Sequence, residues 1–341
     1  MLDPDARVAV LAHGKFPHRA KTAVGILRYA DYEVRAVLDR ERAGDRVSDH
    51  LPDVPDAPIV ASMADAPEVD ALVIGIAPIG GGFDESWRPD VRTAIERGCD
   101  VAAGLHYFLA DDDEFAALAA EHGVDLWDVR RPPDDLTVAD GVAADVAADV
   151  VLTVGTDCST GKMTTSVELV RAAREAGVDA AMVPTGQTGI LLEGWGVPVD
   201  RVVSDFVAGA VEGMIVEKGA DHDLLVVEGQ GSIVHPAYSG VTCGILHGAM
   251  PDRLVLCHVA GREAVHGYEQ FPLPPAERYV DLYESLAAPV HGTEVVAGAL
   301  NTADLGGAAA RDAIDAYADA LDAPATDPVR FDAAEVLDAV C

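Results

Sequence analysis

The stretch "DVVLTVGTDCSTGKMTTSVELVRAA", residues 149–173, decides the fold. Residues 149–155 make an apolar run of strand length. Small residues follow, and "TTSVELVRAAREAG" (164–177) then repeats its apolar positions at helical spacing. Strand, small-residue loop and helix together form the layout of a phosphate-cradling loop. There, successive backbone N–H groups wrap a phosphate, the helix N-terminus adds partial positive charge, and a lysine adds a full one. Gly155, Gly161 and Lys162 occupy the positions this chemistry needs. Two departures stand out. The usual loop has about four residues between its glycines; here Thr156, Asp157, Cys158, Ser159 and Thr160 make five. Met163 also stands where a Ser or Thr hydroxyl would ligate Mg²⁺, and Thr164, one residue later, points elsewhere on a helix. Cys158 has two readings, a nucleophile activated by the helix terminus or a small residue that fits a tight loop.

Around this core the second half alternates strands and helices. "DAAMVPTGQTG" (179–189) reads as a strand entering a Gly-rich loop, and "VVSDFVAGAVEGMIVEKG" (202–219) as a helix with Ser204 at its N-cap. "HDLLVVEGQGS" (222–232) reads as a strand ending in an acid and a second Gly-rich loop. In a parallel sheet, the loops after these strands gather at one edge, where ligands bind. Glu228 sits at the position of a second acidic motif. His235 titrates near neutral pH and is a candidate general base beside it. Thr185, Gln187 and Thr188 offer donors between glycines, and Gln230 and Ser232 follow Glu228. Asp205 either contacts substrate or complements a helix dipole. Arg262 suits bidentate carboxylate recognition. No His/Asp/Glu cluster has metal-ligand spacing, so no metal is expected.

The first half shows the same alternation. Strands are expected at 7–14, 32–40, 69–78 and 99–105, and helices at 19–30, up to Gly98, and at 112–123. It contains no G-x-G-x-x-G, so a dinucleotide site is not supported. Lys15, Arg19 and Lys21 cluster at the start of its first helix. The polar, Pro-rich "RRPPDDLTVADG" (130–141) reads as the linker. The expected organisation is α/β with mainly parallel sheets: a domain over 1–140 and a phosphate-loop domain over 141–341.

The formal net charge is −34, and only four lysines occur in 341 residues. The acidic residues are spread over every helix rather than gathered in a tail. Such a surface resembles that of proteins from salt-accumulating archaea, where salt screens self-repulsion. It excludes a basic stripe for nucleic acid. No run of about 18 apolar residues predicts a membrane span. The acidic N-terminus is unlike a signal peptide, so a cytoplasmic location is expected. A small-molecule substrate and a homo-oligomer are expected.

Taken together, "GTDCSTGKMTT", "TGQTG", "SDFVAGA", "VEGQGS" with "HPAYSGVT", and "LHGAMPD" resemble the DUF1611 family, as do "AKTAVGILRY", "IGIAPIGG" and "GLHYFL". The resemblance covers nearly the whole chain. It implies an N-terminal Rossmann-like domain and a C-terminal P-loop NTPase-like domain. It further implies D-glutamate N-acetyltransferase activity with acetyl-CoA as co-substrate. Coenzyme A needs no Mg²⁺ to bind, which suits Met163. On this reading residues 155–164 hold a phosphate, Glu228 or His235 takes the amine proton, amides around Gly229–Ser232 receive the oxyanion, and Arg262 holds a substrate carboxylate. The alternative is a Mg-ATP kinase or ligase of the dethiobiotin-synthetase type, which shares the Gly-Thr-Asp opening.

Overall fold

A computed structural model describes residues 1–78 and 80–341; Ile79, within "IGIAPIGG", lies outside the described residues. The chain divides into two compact units. One is Met1–Arg131 with Gln187–Pro198, the other Pro132–Gly186 with Val199–Cys341.

The first unit holds β1 (Arg7–Leu11), α1 (Lys21–Tyr29), β2 (Glu33–Leu38), β3 (Ile59–Val60), β4 (Ala71–Ile74), α2 (Arg88–Glu96), β5 (Asp100–Ala103), α3 (Asp113–His122) and β6 (Leu126–Asp128). The strands pair in the order β3-β2-β1-β4-β5-β6, all parallel. That is the Rossmann order. β4 is buried throughout because both sheet faces are covered, so its sequence is a continuous apolar run rather than an alternation. In a nucleotide-binding sheet an acid just after β2 holds a ribose. Here that acid is Asp39, 1% exposed, and its carboxylate accepts from the amides of Gly14 at 2.9 Å and Phe16 at 3.3 Å. The loop after β1 thus folds onto its own acid.

The second unit holds β7 (Asp149–Gly155), α4 (Lys162–Glu175) and β8 (Ala180–Val183). A helix α5 (Gln187–Glu193) then belongs to the first unit. There follow α6 (Val207–Lys218), β9 (Leu224–Val227), α7 (Ser239–Ala249), β10 (Arg253–Val259), β11 (Ala264–Val265), β12 (Tyr268–Pro272), α8 (Ala276–Ala287), β13 (Glu294–Asn301), α9 (Gly307–Leu321), β14 (Ala325–Thr326) and α10 (Ala334–Val340). The sheet order is β14-β13-β10-β7-β9-β8, all parallel. β11 and β12 form a small antiparallel hairpin. The chain leaves β7 for β8 and β9 on one side, then crosses to β10 on the other. The loop after β7 therefore lies at the point where strand order reverses, the place such sheets reserve for ligands. No helix among the described residues is long and apolar enough to cross a membrane.

Two local expectations are corrected. Ser204 does not cap a helix. It opens a 3-10 turn (Ser204–Phe206) that winds directly into α6, whose cap residue is Phe206. Residues 187–189 are not loop but the first turn of α5. Flanking glycines imitate a loop in sequence, but burial of Ile190 and Leu191 in the first unit's core supports the helix.

Candidate active site

The loop between β7 and α4 turns through two left-handed residues, Ser159 at φ 52° and Gly161 at φ 99°. Glycine suits the second because it carries no Cβ to strain. Lys162 opens α4 and is buried to 6% exposure. Its ammonium folds back over the loop, donating to the carbonyl of Asp157 at 2.9 Å and to Thr160 Oγ1 at 3.4 Å. A Cβ on Gly155 would stand 2.8 Å from that nitrogen and 2.7 Å from Thr160 Oγ1. Gly155 is thus glycine because the lysine crosses it.

Asp157, fully buried, is the loop's internal anchor. Its Oδ1 accepts from the Cys158 amide at 2.7 Å, and its Oδ2 from Arg262 at 3.0 Å and the His266 amide at 2.8 Å. Arg262 also donates to the Cys158 carbonyl at 2.7 Å. Arg262, expected to hold a substrate carboxylate, is therefore placed as a clasp on the phosphate loop. Thr156 Oγ1 meets His258 Nδ1 at 2.7 Å, while its carbonyl accepts from Ser232 Oγ at 3.0 Å. Burial, with Arg262 beside it, pushes His258 down to about 4, so it is neutral at pH 7. Tyr283 from α8 donates to the Gly155 carbonyl at 2.8 Å and accepts from the Ile233 amide at 3.2 Å. Ser159 is exposed and Cys158 half-buried. Met163 and Thr164 are half-buried, and it is Thr165 that turns inward against Cys257.

Glu228 follows β9 and is 6% exposed. Its Oε2 accepts from the amides of Thr185 at 3.2 Å and Gly186 at 3.1 Å. Thr185 Oγ1 donates to the Glu228 carbonyl at 2.6 Å, and Gln230 Nε2 to the Thr185 carbonyl at 2.6 Å. The ends of β8 and β9 are therefore stitched together, with the carboxylate fixed between them. The amide of Gly229 is committed to Thr153 Oγ1 at 3.1 Å, which removes it from the expected oxyanion donors.

His235 is 1% exposed, with its ring wedged between Tyr238 at 4.7 Å and Tyr268 at 5.2 Å. Nε2 faces Asp157 Oδ1 at 4.0 Å. One oxygen of Asp157, Cys158 Sγ and a ring nitrogen of His235 lie within 4.8 Å of one another. The trio has donor atoms for a metal, but its setting opposes a cation. Both Asp157 oxygens are engaged, and the charges of Lys162 and Arg262 sit alongside.

Three of the expected residues make none of the bonds described above. Gln187 and Thr188 belong to the first unit, where Gln187 Oε1 accepts from Arg130 at 2.6 Å and Thr188 meets Thr22 at 2.9 Å. Asp205 is exposed on the 3-10 turn and makes none of the bonds that build the site.

Residues 137–337 match the family described as "Domain of unknown function (DUF1611_C) P-loop domain", and residues 40–132 its Rossmann-like N-terminal counterpart (DUF1611_N). The chain belongs to the DUF1611 family. A "D-glutamate N-acetyltransferase" of Tritonibacter scottomollicae is 38% identical over 279 residues, spanning 81% of this chain and 83% of that protein. Another of the same name, from Pseudoalteromonas sp., is 36% identical over 260 residues, spanning 76% and 77%. A crystal structure of a DUF1611 protein from Anabaena variabilis superposes with a TM-score of 0.94 at 41% identity, covering 98% of this chain and 99% of that one. Sequence reading of this DUF1611 chain missed Tyr283 and Thr153. Tyr283 lies four residues after Tyr279 on a helix and reads there as core; Thr153 is a lone hydroxyl in an apolar strand. Neither position signals the backbone atom it serves.

Proposed function

We propose that this chain is an amino-acid N-acetyltransferase that moves the acetyl group of acetyl-CoA to the amine of D-glutamate. The observation that carries the reading is the likeness, over three quarters or more of each chain, to the two relatives of that name. The loop chemistry supports it. Met163 offers no hydroxyl for Mg²⁺, while Gly155–Lys162 keeps the cation and helix N-terminus that suit a coenzyme A phosphate.

In this reading Lys162 releases the Asp157 carbonyl and takes the ligand phosphate. The amine nitrogen attacks the thioester carbon, and the carbon–sulfur bond breaks. Glu228 receives the proton the nitrogen loses and returns it to the departing sulfur, so the products are the N-acetyl amino acid and free coenzyme A thiol. Thr185 and Gly186 hold the carboxylate for that exchange. Gln230 and Ser232 brace the surrounding backbone.

The test is thiol release from acetyl-CoA on adding D-glutamate, with L-glutamate as comparison. Release dependent on D-glutamate is expected. Lys162→Ala should raise the Kd for acetyl-CoA at least about tenfold, or about 1.4 kcal/mol. An unchanged Kd would remove Lys162 from the phosphate role. The Gly-Thr-Asp opening favours a second reading, a Mg-ATP enzyme. Calorimetric binding of ATP that requires Mg²⁺, with none of acetyl-CoA, would establish that reading instead.

A further inference from the structure

His235 has the residue type of a general base, but its surroundings give it the opposite role. The amide of Ala237 donates to His235 Nδ1 at 3.1 Å. A ring nitrogen that accepts a hydrogen bond carries no proton, so the neutral ring must carry its proton on Nε2. Burial is the largest influence and lowers the pKa. Asp157 opposes it, and Lys162 and His266 reinforce it. The ring is therefore neutral at pH 7, with Nδ1 closed off by the backbone and Nε2–H as its working atom. Accepting a proton on Nε2 would require moving the existing one to Nδ1, against the Ala237 N–H.

That Nε2–H belongs to a ring 1% exposed and faces the phosphate loop, where Asp157 Oδ1 stands 4.0 Å away. This is beyond hydrogen-bond length. The two tyrosines hold the ring so that it cannot swing to shorten the gap. An oxygen lodged beside Cys158 would complete the bond. The negative charge of Asp157 does not repel it strongly, because both carboxylate oxygens are already covered by Arg262 and two amides.

We propose that His235 is a neutral N–H donor to the thioester carbonyl oxygen, which becomes the oxyanion as the amine attacks, and is not the base of the reaction. This rests on the acetyl-transfer reading and deepens it. It also fills the place that the committed Gly229 amide leaves.

The test compares wild type with His235→Ala, His235→Gln and His235→Asn. The amide nitrogen of Gln overlies imidazole Nε2, whereas that of Asn overlies Nδ1. Expected are losses in kcat of about 10²–10³ for Ala and Asn, a loss of no more than about tenfold for Gln, and unchanged KM for acetyl-CoA in all three. Melting temperatures check that each variant folds. Nitrogen NMR of the labelled ring in the resting protein should show Nε2 protonated and Nδ1 bare from pH 6 to 8. A folded His235→Gln as slow as His235→Ala would overturn the donor role. So would a raised KM with unchanged kcat, or a ring protonated at Nδ1. If wild type releases no thiol with any acidic amino acid, the acetyl-transfer reading itself fails and this role with it.

Discussion

At the scale of single residues, the site is set by which atoms can come close. Gly155 and Gly229 are both required, for different reasons. A Cβ on Gly229 would lie 1.7 Å from the backbone oxygen of Thr153, which cannot move without distorting β7. A Cβ on Gly155 would first meet the ends of two side chains, Thr160 Oγ1 at 2.7 Å and Lys162 Nζ at 2.8 Å, with the backbone oxygen of Asp157 at 3.0 Å. Gly229→Ala should therefore lower stability by more than about 3 kcal/mol, read as a drop in the urea midpoint. Gly155→Ala should lower that midpoint far less, while weakening acetyl-CoA binding. Equal unfolding penalties for the two would contradict this account. Both glycines were legible in the sequence as loop glycines. The distinction between them was not, because it depends on a neighbouring strand and on where a lysine folds.

At the scale of elements, the phosphate loop is held by a segment from the far side of its strand. β10 delivers Arg262 beyond its end, and Arg262 clasps the loop through the buried Asp157. Removing one partner of such a pair leaves a charge buried without compensation and costs about 3 kcal/mol or more. Arg262→Met should lose roughly that much in denaturant, and adding Asp157→Asn should recover part of it. If the double variant is no more stable than the single, the pair is not what holds the loop. The elements were largely visible beforehand. Strands 149–155 and 32–40 and helices 164–177, 19–30 and 112–123 fall within two residues of those observed. Elements whose stability comes from distant packing were not. α5 reads as loop because Gly186 and Gly189 bracket its start, and its helix is supported by a core contributed by residues 60 or more positions earlier. The partner Arg262 meets in the fold was hidden for a similar reason. Its type announced carboxylate recognition, and the carboxylate proved to be the chain's own.

At the scale of the whole molecule, a net charge of −34 makes self-repulsion a general opponent of folding. Screening length falls from about 10 Å at 0.1 M salt to about 3 Å at 1 M. The melting temperature should therefore rise as sodium chloride goes from about 0.1 M to 2 M. A flat or falling curve would show that the acidic surface does not limit stability. Composition gave this field directly, and strand–helix alternation gave two parallel sheets. The route of the chain between the units was hidden. It passes from one to the other three times, after Arg131, Gly186 and Pro198. A chain made by joining two genes end to end would pass once. No single cut here yields two intact pieces: a fragment ending at Arg131 lacks Ile190 and Leu191 from its core, and the remainder carries that helix with nothing of its own unit to cover it. A cut at the linker therefore leaves the first unit short of part of its own core.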